Sequence, residues 1–369
     1  MGRPTQYART SDGVKIAFCT KGQGIPFVEM PPIPFSHGAS PSQIPEWQAW
    51  DEEMARRGML VEYDCRGTGM SDRDVTDYSL DAWVRDLEAV VDSLGLDHFT
   101  LFAPDSLAVP VAIAYAVRWP ERVSHLILWQ AHAQVTHILN DPGFAGVLQL
   151  MDKDWTLFSE VLVQVMEGWS EPETAHREAA GIRELHSPQG LRAALSAAAE
   201  VDVSDLLPQV TSPTLVLHRR DGRQPLSESM KVASGIPNAR LVFVEGSAYS
   251  WALQHPEAVL QAIDEFVGTA AEPEPRRGKA GLSPRELEVL GLMTAGKSTR
   301  EIAAELVLTV RTVERHISNI YRKIDAHNRA QAVAFALERG LTAGPSPAAH
   351  SSRPPLSRVR GEGEMIADA

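Results

Sequence analysis

The chain has 369 residues, 44% of them hydrophobic and 22% charged, with a formal net charge of −13. That composition describes globular material with enough apolar side chains for a sizeable core, and the length asks for two domains. Cys19 and Cys65 are too few and too far apart for a disulfide framework or a metal site, and no apolar run approaches the ~18 residues of a membrane helix; neither metal, cofactor nor membrane is expected, and a cytoplasmic location fits.

From the start, short apolar runs predict strands at 14–20, 27–30, 59–63, 99–103, 123–129, 214–217 and 240–244. They alternate with amphipathic helical patterns, clearest at 80–94, 109–118 and 257–267, which argues for a largely parallel sheet covered on both faces. Between 131 and about 200 the strand pattern stops, and an Ala-rich, Trp-containing helical segment reads as an insertion above the sheet. The stretch Tyr63-Asp64-Cys65-Arg66-Gly67-Thr68-Gly69-Met70-Ser71-Asp72 follows a strand. It could cradle phosphate, yet it lacks the P-loop lysine and a helix start after its glycines.

The pattern Asp-x-Arg-Gly-x-Gly-x-Ser is similar to the turn after an early strand in the α/β-hydrolase fold, where it is structural. Pro120-Glu121-Arg122-Val123 and Pro256-Glu257 also match that fold, so the resemblance runs from about Tyr7 to Phe266 and makes the insertion its cap. It implies a nucleophile on a sharp turn, a histidine base, an orienting acid and two amides for the oxyanion. Ser106 takes the nucleophile position within Pro104-Asp105-Ser106-Leu107-Ala108, where the usual flanking glycines are absent, and Asp221 takes that of the acid. Tyr249 stands where the base belongs, and a phenol with a pKa near ~10 is a poor proton acceptor at neutral pH. His255, six residues later, is the remaining candidate base.

The oxyanion loop reads Pro31-Pro32-Ile33-Pro34, and proline has no amide hydrogen to give; the amide of Leu107 is left as the donor, and His37-Gly38 comes too late after the strand. The implied fold is thus a mostly parallel sheet with a helical cap and incomplete catalytic machinery. Its expected pocket walls are Ser106, Leu107, Trp129, Tyr249 and Trp251, with Phe144, Trp155, Phe158 and Trp169 from the cap.

Residues 1–268 form this first domain, the Pro-rich charged stretch 269–280 a linker, 281–341 a second domain, and 342–369 a disordered tail. Between Arg276 and Leu341 twelve Lys or Arg stand against seven Asp or Glu, or +5, while the tail is neutral, so the first 275 residues carry −18. In the basic part, Ser283 with Glu286 suggests a capping box, and Ser298 and Thr309 suggest caps of two further helices. Val313, Ile317, Ile320 and Ile324 make one apolar stripe on the third helix, leaving Arg311, Thr312, Arg315, Asn319, Arg322 and Lys323 outside. An Arg- and Asn-bearing face after a tight turn suits the major groove of double-stranded DNA.

Leu-Ser-Pro-Arg-Glu at 282–286, Gly-Lys-Ser-Thr-Arg-Glu-Ile-Ala at 296–303, Arg-Thr-Val at 311–313 and His316 to Asn319 resemble the LuxR-type helix-turn-helix domain, an all-α unit of four helices. The resemblance makes the third helix the recognition helix, adds His316 to the DNA-binding residues and gives the fourth, 330–338, a dimer contact. Glu314 departs from the Lys usual in that family. The expectation is a homodimeric, DNA-binding transcription regulator whose first domain senses a small molecule. The alternative is an active serine hydrolase fused to a DNA-binding domain.

Overall fold

The computed structural model describes residues 4–35, 44–104, 107–167, 172–269, 284–306, 308–324 and 326–338. These divide into two compact units, one ending at Val267 and the other beginning at Gly268. The expected linker beyond Thr269 and the expected tail lie outside the described residues.

In the first unit, β1 (Gln6–Arg9), β2 (Lys15–Lys21), β3 (Pro26–Glu29), β4 (Met59–Tyr63), β5 (Phe99–Pro104), β6 (Val123–Trp129), β7 (Thr214–Arg219) and β8 (Ala239–Val244) form one sheet in the order β1-β2-β4-β3-β5-β6-β7-β8. β1 with β2 and β2 with β4 pair antiparallel; from β4 through β3 to β8 all pairs are parallel. The central strands are apolar almost throughout because both their faces are covered. One face packs on α2 (Leu80–Leu94), α3 (Ala108–Arg118) and α9 (Leu226–Gly235). The other packs on α1 (Pro45–Arg57) and α10 (Pro256–Thr269), through Trp50, Met54, Ile263 and Phe266. Between β6 and β7 come α4 (Thr136–Leu139), α5 (Pro142–Leu148), α6 (Trp155–Glu167), α7 (Pro172–Leu185) and α8 (Pro188–Ala198), the expected insertion.

The turn after β4 has its polar groups satisfied internally. Asp64 accepts from the amide of Met70 at 2.9 Å, and the Ser71 hydroxyl donates to the Asp64 carbonyl and accepts from the amide of Ala17. Gly67 and Gly69 have φ of 80° and 54°, and a Cβ on the latter would stand 2.2 Å from the Asp64 carboxylate. Arg66, itself buried, bridges Asp86 and the part-exposed Asp12. Burial opposes the charge on Arg66, but the two carboxylates outweigh it and raise its pKa. The turn is a structural clasp between strands and α2, as the hydrolase resemblance implies.

The second unit consists of α11 (Pro284–Thr294), α12 (Thr299–Glu305), α13 (Val310–Ile324) and α14 (Arg329–Glu338) around Val289, Leu290, Met293, Ile302, Val313 and Ile320. Ser298 and Glu301 form a reciprocal capping box on α12, and the Thr309 hydroxyl accepts from the amide of Thr312 at the start of α13. Ser283 lies outside the described residues. Glu286, expected to complete a box with it, is fully buried and accepts a 2.7 Å hydrogen bond from Lys323. Among the described residues no helix is long and apolar enough to cross a membrane.

Candidate functional site

The carboxyl ends of β3, β5, β6, β7 and β8 lie at one edge of the sheet, where open α/β folds bind ligands. Ser106 and Asp105 fall outside the described residues, but the backbone on either side is placed. Leu107 is buried, and its amide donates to the carbonyl of Ile33 at 3.1 Å. An oxyanion hole needs amide donors facing an empty position. Here the remaining donor is engaged, and the loop after β3 presents a carbonyl oxygen to it. The same loop is closed by Phe35, whose amide donates to Pro32 and whose ring joins Phe144, Val147, Met151 and Phe158 in the cap core. Trp155 stacks on Phe158 within that cluster, and Trp169 lies outside the described residues.

The other expected catalytic positions lie as follows. Asp221 is exposed on the turn after β7, whereas an acid that orients a base is buried. Tyr249, half-buried, receives the Trp129 indole N–H on its carbonyl at 2.8 Å. His255 points outward, its side chain 59% exposed and paired with Glu257 at 3.3 Å, so it does not reach back to the site.

Two expected pocket walls prove to be core. Trp251 packs edge-on against Trp47 and Phe102, with ring centroids 5.2 and 5.4 Å away. Trp129 is fully buried beneath Arg219. Large aromatic rings at strand ends gain more by filling the space under α1 and α10 than by facing a ligand.

The organiser that residue patterns missed is Arg219, the last residue of β7 and wholly buried. Its guanidinium donates to the carbonyls of Glu245, Ala248, Ser250, Leu253 and Gln254 and lies 5.1 Å over the Trp129 ring. It thereby fixes the whole loop after β8, the one that carries the base in a working hydrolase. A charged residue continuing the apolar run Thr214 to Leu217 is the available signal.

In the second unit, Arg311 and Arg322 are exposed on α13, and Thr312, Arg315 and Asn319 are half-buried. Arg322 donates to the side-chain carbonyl of Asn319 at 2.9 Å. The Thr312 hydroxyl bonds that of Thr309 in the cap. One expected DNA contact is corrected. His316 is only 6% exposed and turns inward, because it falls between Val313 and Ile320 on the packed side of the helix. Lys323 is exposed and pairs at 2.7 Å with the buried Glu286.

Residues 280–336 match the model of the family described as "Bacterial regulatory proteins, luxR family". The transcriptional regulatory protein LiaR of Bacillus subtilis is 47% identical over 55 residues, which are 15% of this chain and 26% of LiaR. The chain therefore spans only about a quarter of that relative. RutD of Caulobacter sp. (strain K31) is 27% identical over 243 residues, covering 61% of this chain and 86% of RutD. Among solved structures, Est816, titled an N-acyl homoserine lactone degrading enzyme, superposes with a TM-score of 0.61 at 21% identity, over 71% of this chain and 100% of Est816. The chain thus carries an α/β-hydrolase-like region followed by a LuxR-type DNA-binding regulator domain.

Proposed function

We propose that the protein is a transcription regulator whose hydrolase-like domain binds a small molecule without hydrolysing it and works as a homodimer on DNA. The observation that carries the loss of chemistry is the Leu107 amide bonded to the Ile33 carbonyl, next to a tyrosine in place of the base. A ligand that favours one cap or dimer arrangement shifts that equilibrium and, with it, operator affinity. Fluorophosphonate labelling of the native protein tests the reading, with Ser106→Ala and heat-denatured protein as controls. No Ser106-dependent labelling is expected. Tyr249→His is also expected to leave p-nitrophenyl butyrate hydrolysis at the level of Ser106→Ala, since a base alone supplies no oxyanion donor. Labelling that disappears in Ser106→Ala favours the second reading, an active serine hydrolase fused to a DNA-binding domain, which the likeness to RutD and Est816 supports.

On DNA, Arg311, Arg315, Asn319 and Arg322 are the reading and positioning residues in this proposal. Arg315→Ala and Asn319→Ala are each expected to cost about 1–3 kcal/mol on the preferred site and far less on random duplex. Lys323→Ala is expected to lower the unfolding midpoint of the domain as well as its affinity, because it removes the cation hydrogen-bonded to the buried Glu286. Fluorescence anisotropy beside thermal melts separates the cases: a Lys323→Ala protein with an unaltered melt returns that residue to the phosphate-binding role.

A further inference from the structure

Carboxylates in the second unit mostly serve the unit itself. Glu286 accepts a hydrogen bond from Lys323, Glu288 pairs with Arg285, Glu305 pairs with Lys297, and Glu301 completes the capping box with Ser298. Glu314 differs. It is exposed on α13, and among the described residues its carboxylate has neither an ion pair nor a hydrogen bond. An exposed helical Glu is ordinarily steadied by a Lys or Arg four residues on, but that place holds Ser318. The Ser318 hydroxyl donates to the main-chain carbonyl of Glu314 at 3.0 Å and leaves the carboxylate alone.

The position gives such a carboxylate something to meet. Val313, His316 and Ile320 are buried and mark the inward side of α13. At about 3.6 residues per turn, the outward side carries Arg311, Glu314, Ser318 and Arg322, all exposed. Glu314 also stands near the start of α13, the end of a recognition helix that reaches the base edges. Charge sets the terms there. Every phosphate that attracts Arg311 and Arg322 repels Glu314, so a neutral residue would bind DNA better unless the carboxylate finds a donor on a base. In the major groove the base-edge donors are the amino groups of cytosine and adenine. Adenine sets the acceptor N7 beside its amino group, which suits the amide of Asn or Gln. Cytosine sets no acceptor beside N4 and suits a carboxylate.

We infer that Glu314 reads a cytosine in the DNA site, its carboxylate accepting a hydrogen bond from the N4 amino group in the major groove. This rests on the DNA-binding reading above. The test selects binding sites for the full chain from a random duplex library and then measures fluorescence anisotropy on the enriched duplex. One position is expected to require C·G. Exchange of that pair for T·A, which puts an acceptor where the amino group was, is expected to weaken native binding about 5- to 100-fold. Glu314→Ala is expected to bind the two duplexes within about twofold of each other while keeping its melt and its preferences at the other positions. Glu314→Gln is expected to bring adenine at least level with cytosine at that position, because Gln pairs with N6 and N7 together. Glu314→Ala that tightens binding to all duplexes alike, with the base preferences intact, overturns the inference, since the carboxylate then only repels phosphate. Preferences that neither variant alters at any position also overturn it and leave DNA reading by α13 standing. Enrichment of no sequence by the native chain overturns that reading as well.

Discussion

Arg219→Met is expected to destabilise the first unit by at least about 3–5 kcal/mol and to open the loop after β8 to proteolysis. Five carbonyls lose their shared donor at once, two of them from Ser250 and Leu253, and Trp129 loses the cation above its ring. Each stranded buried acceptor costs about 1–3 kcal/mol, reduced where the loop relaxes into water. Arg219→Lys tests whether charge or geometry matters. An ammonium has three donors and no planar fork, so it cannot serve five carbonyls spread along one loop, and less than half the loss should be recovered. Urea denaturation with limited trypsinolysis gives both readouts. Full rescue by lysine would show that the loop needs only a positive charge.

Arg66→Met is expected to cost about 3–5 kcal/mol at pH 8, because it leaves the Asp86 carboxylate wholly buried without its guanidinium. The deficit should depend on pH in a definite direction. Burial already pushes Asp86 up to about 6 with Arg66 beside it, and removing Arg66 takes away the influence that opposes this rise. A carboxyl whose folded pKa exceeds its unfolded value binds its proton more tightly when folded, so stability is lost as pH rises from the unfolded value toward the folded one. Acidification to pH 5.5 protonates Asp86 in the variant and should remove half or more of the deficit. Equal deficits at pH 8 and pH 5.5 in urea titrations would mean that Asp86 does not change its protonation between them in the variant.

Legibility from sequence followed the range of the interaction. The strands at 59–63 and 123–129 and the helix at 80–94 coincide with the observed elements, because each carries its own period or apolar run. β1, with the sequence Gln-Tyr-Ala-Arg, went unread: at a sheet edge only Ala8 is buried, and so short a strand shows no alternation. α1 was missed although Trp47, Trp50 and Met54 fall on one face, since its many charges hide a stripe of three. At the site, the departures at Tyr249 and Pro31 to Pro34 were readable as residue types. The bonds around them were not. Leu107 meets Ile33 across 74 positions, Lys323 meets Glu286 across 37, and Arg219 gathers carbonyls 26 to 35 residues away. A main-chain acceptor leaves no trace in residue identity, and a buried arginine at a strand end resembles an exposed one.

The bond between the Leu107 amide and the Ile33 carbonyl also bears on how this region can evolve. Both partners are main-chain groups, so no single codon change deletes either one, except a proline at position 107, which would also remove the amide. Under the proposed non-hydrolytic reading, regaining hydrolysis would require the loop after β3 to be rebuilt and a base to arise within the same lineage. Under the same reading, selection at positions 106, 221 and 249 is released from chemistry, and drift there can follow whatever molecule the domain is proposed to bind.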